Sequence, residues 1–312
     1  GPWAYDHLRF DRSAGWVIVE PLARGSGFWV GAHKFAHDPE SGLFTLFYRL
    51  RTPLERGRGG VCRVATSDDG IRFDDVWEAT KEDLAASSIE VGHCLRHDAG
   101  EWRLYLSYER AGSPGYWRID VATGPSPAEL DTQGRRTVLD PTNFGLGFIK
   151  DPVVYRTDDG GYRLYATTNP RTGPTIEGDR WTTAPQEETI LAESRDGRYF
   201  ETIEYVLAPA GDRSWHGQRA RLNGLVDVDG GTLGTYDGSR TAYDNYEEWC
   251  GLVTTADGRS FERVPLDEPW VRSPHGSVRY VFPLRVGDRV YWYYEFTRAD
   301  GSHDLRVSVV DL

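Results

Sequence analysis

One short pattern recurs five times along this chain: an apolar strand, a turn rich in Gly and Asp, and a second strand rich in aromatic residues. The starts of the second strands are separated by 58, 60, 69 and 58 residues. Self-similarity at a nearly fixed period indicates repeated sheets. The second strands are Leu46–Tyr48, Leu104–Leu106, Leu164–Ala166, Leu233–Tyr236 and Tyr291–Tyr294.

A turn motif falls in step with three of these repeats. Asp-Gly dipeptides end at Gly70, Gly197 and Gly258, and an aromatic residue follows each Gly three positions later. Gly supplies the positive φ that tight turns between twisted strands need, so we expect three hairpin turns of one type. The aromatic residues, which we expect to pack back on the same sheets, are Phe73, Phe200 and Phe261.

The repeats predict an all-β fold, a five-bladed β-propeller formed by residues 1–312 as a single domain. Radial repetition of four-stranded sheets leaves only short, protected edges, and eleven Trp, seventeen Tyr and twelve Phe residues supply a large core. The fifth repeat lacks an outer strand, so we expect the N-terminal segment, which includes residues 16–20, to close the ring. A β-sandwich with long loops is the alternative, but it does not explain the regular period.

Charge and cysteine usage exclude several partners. The net charge of −12 opposes binding to nucleic acid and to anionic membranes, and no run approaches the ~20 apolar residues of a membrane span. Cys62, Cys94 and Cys250 lie singly in apolar strands, which predicts buried free thiols and favours a cytoplasmic location. Secretion stays open, because Gly1-Pro2 resembles the remnant of a protease site and a signal peptide would then have been removed.

Polar residues recur near the start of the first strand of each repeat. In a propeller these strands line a central channel, so their polar residues meet although they are far apart in sequence. Alignment on the aromatic strand that follows therefore predicts a site at the mouth of the channel. Its members are His33, Glu90, Lys150, Asp151, Arg221, Asn223 and Arg279.

One of these strands resembles a known family. Phe148–Tyr155, in which Asp151 precedes Pro152, and the following hairpin Asp158–Tyr165 are similar to the Asp-Pro strand of the five-bladed β-propeller glycoside hydrolases. That superfamily includes the arabinanase/xylosidase and invertase/levansucrase groups. The resemblance implies a propeller fold and cleavage of a carbohydrate or other glycoside. It also implies that Asp151 positions substrate hydroxyls and adjusts the pKa of the catalytic acid.

The chain departs from that family in its first repeat. The family brings an Asp to the channel there as base or nucleophile, whereas this chain has His33-Lys34 at the aligned place and Asp38 only in the following turn. Glu90 is the candidate to take over that role, since a Glu in an apolar strand is costly to bury without a purpose or a partner. A salt bridge to a channel Arg is the structural alternative.

The fourth repeat supplies the candidates for the acid. Cleavage of a glycosidic bond needs one protonated carboxyl group and one ionised carboxylate, and Asp237, Glu247 and Glu248 are available. Alternation in a strand directs the two adjacent Glu side chains to opposite faces, and we assign Glu247 to the channel. An acidic surface loop is the alternative. The predicted catalytic set is therefore Asp151, Glu90 and Glu247.

Converging basic residues are the remaining signal. In so acidic a chain they suit a carboxylate, phosphate or sulfate on the substrate, held through bidentate contacts. Arg56 and Arg58 lie in a Gly-rich loop and are more typical of a solvated surface. The predicted substrate-binding residues are His33, Arg49, Lys150, Arg221, Asn223, Tyr236, Asp237, Arg279 and Glu295.

Three functions from different classes remain open at this point. The first is a glycoside hydrolase, the second a glycoside phosphorylase with an Arg/Lys/His phosphate site, and the third a non-hydrolytic carbohydrate-binding or biosynthetic propeller. Fold does not decide among them. No cofactor is predicted, because the sequence has no nucleotide-binding loop, metal-ligating His/Cys cluster or nucleophile elbow. An axial Ca²⁺ ion has no ligand spacing to support it.

Overall fold

The computed structural model describes residues 5–171, 186–241 and 247–312, and nearly all of their regular structure is β. A single α-helical turn, α1 (Lys81–Leu84), begins with a capping box in which Thr80 and Asp83 exchange side-chain to backbone hydrogen bonds. The predicted all-β class is confirmed. Short 3-10 helices within this part of the chain cover Asp6–Leu8, Leu54–Arg56 and Pro141–Phe144.

The described residues form 21 strands, several of them fully buried along one face by alternating apolar side chains. The first thirteen are β1 Trp16–Val19, β2 Trp29–His37, β3 Phe44–Arg51, β4 Val61–Ser67, β5 Asp74–Thr80, β6 Ala86–Asp98, β7 Glu101–Arg110, β8 Trp117–Gly124, β9 Asp131–Leu139, β10 Ile149–Arg156, β11 Tyr162–Thr168, β12 Glu188–Ser194 and β13 Ile203–Leu207. The others are β14 Arg221–Val228, β15 Gly231–Gly238, β16 Trp249–Thr255, β17 Glu262–Arg263, β18 Arg272–Ser273, β19 Gly276–Val286, β20 Arg289–Thr297 and β21 His303–Asp311.

Three of the sheets contain four consecutive strands each, β6–β9, β10–β13 and β14–β17. The fourth sheet has nine strands and joins the two ends of the described chain. In it β2–β5 and β18–β21 meet through one parallel pair, Trp29 with His303, and β1 also pairs with β21. We call the groups β2–β5, β6–β9, β10–β13, β14–β17 and β18–β21 units 1 to 5.

One strand of each unit lies at the centre of the molecule, and these central strands are β2, β6, β10, β14 and β19. β2 contacts both β6 and β19, β10 contacts both β6 and β14, and β14 contacts β19. These strands coincide within a few residues with the first strands predicted from the repeat. Their amino-terminal ends therefore face one another, which is the arrangement a shared site requires.

The three Asp-Gly turns have the predicted conformation. Gly70, Gly197 and Gly258 have φ values of 75°, 70° and 72°, and each turn connects the third strand of a unit to the fourth. A tyrosine hydroxyl of the preceding unit donates to each Gly carbonyl oxygen at 2.7–2.8 Å, so the turns also tie adjacent sheets together. The donors are Tyr105 for Gly197, Tyr165 for Gly258 and Tyr293 for Gly70.

Aromatic side chains fill the space between neighbouring units. Phe35 of β2 stacks on Tyr293 of β20, with ring centroids 3.4 Å apart and planes within 9° of parallel. On the next interface, a Cβ on Gly92 would lie 2.8 Å from the Phe47 ring, so only Gly allows this approach. Burial of each such ring contributes about 1.5–3 kcal/mol, and the repeated interfaces sum to a continuous core.

Two further expectations concern the cysteines and the membrane. Cys62, Cys94 and Cys250 are buried free thiols, as predicted. Within the part of the chain that the structure describes, every helix is too short and too polar to cross a bilayer.

Candidate active site

A pocket of about 410 Å³ opens where the central strands of units 2 to 5 begin. Three carboxylates, Glu90, Glu187 and Glu248, line it. Its less polar wall consists of Leu54, Trp117 and Tyr280. Six basic side chains complete the described lining: Arg51, Arg58, Lys150, Arg219, Arg221 and Arg279.

An irregularity in the central strands shapes the floor of the pocket. In units 1, 2, 3 and 5 the pairing register shifts across two residues at the same level of the strand. Asp151, Ala32 and Tyr280 have left-handed φ values of 61°, 51° and 51° at this level. Such conformations cost about 1–3 kcal/mol and cluster where the surrounding structure needs them. The equivalent positions are Ala32, Glu90, Asp151 and Tyr280.

Ala32 therefore occupies the position in unit 1 that Asp151 occupies in unit 3. Alignment of the sequence had brought His33-Lys34 to that level, but the register shift displaces the correspondence by one residue. The side chain of Ala32 has no ionisable group. Unit 1 thus contributes no carboxylate to the floor. The Asp that the resembled family has in its first repeat is missing here, as the sequence indicated.

Asp151 is a buried carboxyl group with a raised pKa. Burial raises the pKa of Asp151 and outweighs the attraction of Lys150 and Arg221. Arg221 Nη1 lies 3.7 Å from the carboxylate, and within the described chain neither carboxyl oxygen has a hydrogen-bond partner. The backbone N–H of Asp151 donates to Ser107 Oγ at 3.1 Å, which fixes the strand. A carboxyl group of this kind suits a proton donor.

Glu90 lies in the pocket wall, and its pKa is shifted in the direction opposite to that of Asp151. Its carboxylate pairs with Arg49, whose Nη1 also donates to the Ile89 carbonyl at 3.0 Å. Burial opposes ionisation of Glu90, but the attraction of Arg49, followed by that of Lys150, prevails and lowers its pKa to about 2. Since 15% of its side chain is exposed, Glu90 presents an ionised carboxylate to the pocket.

Of the two adjacent glutamates in unit 4, Glu248 and not Glu247 lines the pocket. Glu248 contacts Arg279 at 2.5 Å and Arg221 at 3.7 Å. Glu247 instead accepts hydrogen bonds from Ser277 and contacts His303 Nε2 at 3.1 Å. Burial opposes its ionisation, yet the bond to His303 and its neighbours lower the pKa of Glu247 to about 2, which does not suit a proton donor.

Arg221 and Arg279 both pack against Tyr280 at the floor of the pocket. The guanidinium carbons of Arg221 and Arg279 lie 4.1 and 5.1 Å from the Tyr280 ring centroid. Arg221 donates to Asp237 at 2.6 Å, and Arg279 donates to Glu295 at 3.0 Å. Both arginines are thereby fixed while still reaching the pocket.

Several predicted binding residues lie behind the pocket rather than in its wall. Asn223 donates to Asp237 at 2.9 Å, and Glu295 contacts His303 at 2.6 Å. Asp237, Asn223 and Glu295 are all buried. They orient the arginines, whereas we had expected them to touch the substrate.

Two other predicted residues do not line the pocket. His33 is fully buried, its Nε2 lies 3.3 Å from the Tyr293 carbonyl oxygen, and burial lowers its pKa to about 3. Tyr236 lies on the opposite face of its strand, bonded to His216 at 2.5 Å and stacked parallel to Trp215. Neither residue is part of the described pocket lining.

Glu187 and Trp117 are the main residues that the sequence analysis missed. Arg219 contacts Glu187 at 2.6 Å and Lys150 contacts it at 3.6 Å, so burial is outweighed and the pKa of Glu187 falls to about 2. Lys150 Nζ lies 5.3 Å from the Trp117 ring centroid. Lys150 was the one sign of Glu187 in the sequence, because a lysine at the pocket of an acidic chain usually has a carboxylate partner.

Lys34 is an unusual buried base in the central strand of unit 1. Burial and the nearby Arg221 lower its pKa to about 7, although Asp151 and Asp237 favour its charged form. Its ammonium lies 5.6 Å from the Phe282 ring centroid.

Among the described residues, no group of three or more His, Cys, Asp or Glu side chains is arranged to hold a metal ion.

The comparisons with known proteins give a fold and not a sequence family. No family model matches the chain, and no curated protein matches it. Solved structures do match. A glycoside hydrolase aligns with a TM-score of 0.70 at 10% identity, covering 99% of this chain and 94% of that one.

Two further solved structures have a similar fold. The GH43_1 enzyme from Xanthomonas citri, solved with xylotriose, aligns with a TM-score of 0.65 at 13% identity over 98% of this chain and 93% of that one. A β-1,2-mannobiose phosphorylase from Listeria innocua aligns with a TM-score of 0.64 at 14% identity over 99% and 96%. The chain therefore shares its fold with these glycoside hydrolase and phosphorylase structures. At these identities the likeness establishes the fold alone.

Proposed function

We propose that residues 1–312 form one five-bladed β-propeller with a glycosidase site at one end of its channel. The contacts among the five central strands run from β2 through β6, β10, β14 and β19 back to β2, which supports a closed ring. The pairing of β1 with β21 and the bond from Tyr293 to Gly70 support closure by the N-terminal strand. Buried free cysteines support a cytoplasmic location.

The proposed reaction is cleavage of a glycosidic bond in a carbohydrate or other glycoside. The observation that carries this proposal is the pairing of opposite protonation preferences at equivalent positions of neighbouring central strands. Attraction to Arg49 lowers the pKa of Glu90 to about 2, whereas burial raises the pKa of Asp151. Glycosidases need this combination, one carboxylate for water or the anomeric carbon and one acid for the leaving oxygen.

In this mechanism Glu90 acts as base or nucleophile from the pocket wall. Asp151 supplies the proton to the departing oxygen, directly or through a substrate hydroxyl, since it lies just behind the wall beside Arg221. Glu248 replaces Glu247 as the third carboxylate and binds substrate hydroxyls. Trp117 offers an apolar ring face on which a sugar can stack.

The first test is a screen of aryl furanosides and pyranosides, with and without phosphate. We expect phosphate-independent aglycone release that falls about 10²-fold or more in Glu90→Gln and Asp151→Asn, because each removes an acid–base group. Glu262→Gln, an exposed residue of β17, is the matched control and should leave the rate unchanged. Absence of release with every substrate, or equal rates in all variants, would contradict the proposal.

A second measurement separates the roles of the two carboxyl groups. If Asp151 is the acid, Asp151→Asn should lose least activity on aryl glycosides whose phenols are the most acidic, since these leave without protonation. Glu90→Gln should lose activity on all of them. Glu248→Gln should raise KM more than Glu247→Gln does, because only Glu248 lines the pocket.

A glycoside phosphorylase is the second candidate. It is favoured by the six basic side chains of the pocket lining, which suit a phosphate nucleophile in place of water. It also needs no carboxylate at the position of Ala32. Release that depends strictly on phosphate would select it, and sugar binding without any release would select a non-catalytic carbohydrate-binding propeller.

A further inference from the structure

A row of charges of alternating sign leads from the junction of units 5 and 1 to the pocket. His303 Nδ1 lies 2.6 Å from Glu295 Oε1, and Arg279 Nη2 donates to the same oxygen at 3.0 Å. Arg279 Nη1 lies 2.5 Å from an oxygen of Glu248, a residue of the pocket lining. At the other end, His303 Nε2 lies 3.1 Å from Glu247 Oε1. We call Glu247, His303, Glu295, Arg279 and Glu248 the charge row.

Both ring nitrogens of His303 face carboxylates. An ionised carboxylate only accepts, so a ring that bonds to Glu295 and Glu247 together has a proton on each nitrogen and a positive charge. The Thr297 hydroxyl also lies 3.1 Å from Nε2, but it donates its proton to the Ser277 carbonyl oxygen at 3.0 Å. Burial lowers the pKa of His303, yet its bonds to the two glutamates outweigh burial and raise the pKa above the ordinary value of 6.5.

Other elements of the fold enclose His303 completely. The side chain is fully buried, and the Trp29 ring of β2 stacks on it with centroids 4.7 Å apart. The guanidinium carbons of Arg51 and Arg279 lie 5.4 and 5.5 Å from that indole ring. The charged groups that neighbouring elements bring to His303 are therefore the directly bonded Glu247 and Glu295 and the more distant Arg279 and Arg51.

We propose that His303 is a positioning residue of the pocket: its cationic ring fixes Glu295, and Glu295 in turn fixes Arg279. This arrangement places Arg279 against Glu248 in the pocket wall. The proposal rests on the proposed function for what the pocket does, and it specifies how pH regulates that site.

Loss of one proton from His303 disturbs the whole charge row. A neutral ring has a single N–H and can donate to Glu295 or to Glu247, but not to both. Arg279 is the cation that remains beside Glu295, so it is drawn away from Glu248. The charge-assisted bond to Glu248 weakens, and the substrate hydroxyls then meet a carboxylate that is no longer fixed.

NMR of the side-chain nitrogens tests this positioning without turnover. Proton–nitrogen correlation spectra from pH 5 to pH 9 give the protonation state of each imidazole, and the His303 signal is the one missing from His303→Gln. We expect both His303 nitrogens to be protonated at pH 6.5, with a midpoint above that value. The Arg279 Nε–H signal, identified by its loss in Arg279→Lys, should shift with the same midpoint. His275→Gln, at an exposed histidine, should leave both titrations unchanged.

The kinetic consequence is a rise in KM with pH. For a glycoside that the parent cleaves, KM should increase about tenfold as the pH passes through the His303 midpoint, since one bond to a charged group is lost. The kcat values should follow a separate pH profile set by Glu90 and Asp151. His303→Gln should have the high KM already at pH 6, with no further rise. A merely structural role of His303 would reduce the yield of folded protein and leave the pH dependence of KM in place.

Glu247→Gln gives the same test if His303→Gln does not fold, because the Glu247 side chain is 41% exposed. This change removes one of the two carboxylates that hold the imidazolium. The midpoints of the His303 signal, the Arg279 signal and KM should therefore move together to lower pH.

A neutral His303 ring at pH 6, an Arg279 signal that does not follow His303, or unshifted midpoints in Glu247→Gln would overturn the positioning role. Coupled titrations of His303 and Arg279 without any glycoside cleavage would contradict the proposed function and leave the positioning role in place. Glycoside cleavage with an unmoved Arg279 signal would do the reverse.

Discussion

The imidazole of His93, on β6, bridges the two central strands on either side of it: its Nε2 lies 2.9 Å from the Phe35 carbonyl oxygen, and its Nδ1 accepts the Val154 N–H at 3.0 Å. Because Nδ1 must accept, the proton of the neutral ring resides on Nε2. One side chain of unit 2 thereby joins the central strands of units 1 and 3. The bridge requires a neutral ring, so it depends on pH.

We expect acid to weaken the fold through this bridge. Burial lowers the pKa of His93 to about 3 from an ordinary value of 6.5. The unfolded chain therefore binds more protons between these values, and stability that is complete above pH 6.5 is lost as the pH falls towards 3. Each pKa unit corresponds to about 1.4 kcal/mol. The melting temperature of His93→Gln should thus depend less steeply on pH between 7 and 4 than that of the parent.

His275→Gln is the matched control, since His275 is exposed. Its pH dependence should follow that of the parent. His33 has a pKa of about 3 as well, so part of the slope will remain in His93→Gln. Identical slopes in the parent and in His93→Gln would show that the bridge does not carry this dependence.

Lys34 predicts a change of stability with pH at the alkaline end of the range. Its folded pKa of about 7 lies below its ordinary value of 10.5, so the unfolded chain binds more protons in that interval. Stability should therefore rise as the pH increases from 7 towards 10. Urea denaturation at pH 7, 8 and 9 measures this slope, which should be smaller in Lys34→Met and unchanged in Lys81→Met. An equal slope in Lys34→Met would refute the assignment.

The Arg49–Glu90 pair predicts a change in the pH–rate profile. Without Arg49, burial would dominate and the pKa of Glu90 should rise above its ordinary value of 4.5. The acid limb of kcat/KM, which reports the free enzyme, should move to higher pH in Arg49→Met, with a loss of about 3–5 kcal/mol in stability. Arg49→Lys keeps the charge and should keep the limb near its original position. An unmoved limb in Arg49→Met would exclude Glu90 as the ionised catalytic group.

The contact of Gly31 with Glu295 predicts a severe effect from one methyl group. A Cβ on Gly31 would overlap the Glu295 carboxylate, which holds Arg279 at 3.0 Å and His303 at 2.6 Å. Gly31→Ala should therefore lower the free energy of unfolding by several kcal/mol, on the order of other overpacked buried sites. Gly60→Ala, where the added methyl meets no atom within 4 Å, should cost less than about 1 kcal/mol. Chemical denaturation of the two variants compares them directly, and equal losses would contradict the interpretation.

The repeat and its alternation were sufficient to predict the central strands and the residues of the pocket that follow the period. Glu90, Lys150, Arg221 and Arg279 line the pocket as expected, because each begins a strand that converges on the same channel. The Asp-Gly turns were equally readable, since Gly is needed at a positive φ.

The pattern could not reveal where the backbone departs from regular pairing. The register shift in β2 brings Ala32 rather than His33 to the level of Asp151, and a shift of one residue reverses the faces of a strand. Glu247 and Glu248 precede β16, so strand alternation did not decide between them. Trp117 begins β8 and Glu187 directly precedes β12, neither of which is a central strand, and the repeat period does not mark either residue.

Three charged pairs of the site each join residues from two different units. Arg49 of unit 1 meets Glu90 of unit 2, Arg221 of unit 4 meets Asp151 of unit 3, and Glu248 meets Arg279 of unit 5. A unit on its own would therefore contain at most one member of each of these three pairs, and its carboxylate would have no cation beside it from the neighbouring unit. Insertion, deletion or exchange of a single repeat would leave charges of these pairs without partners, so the proposed site requires the units together.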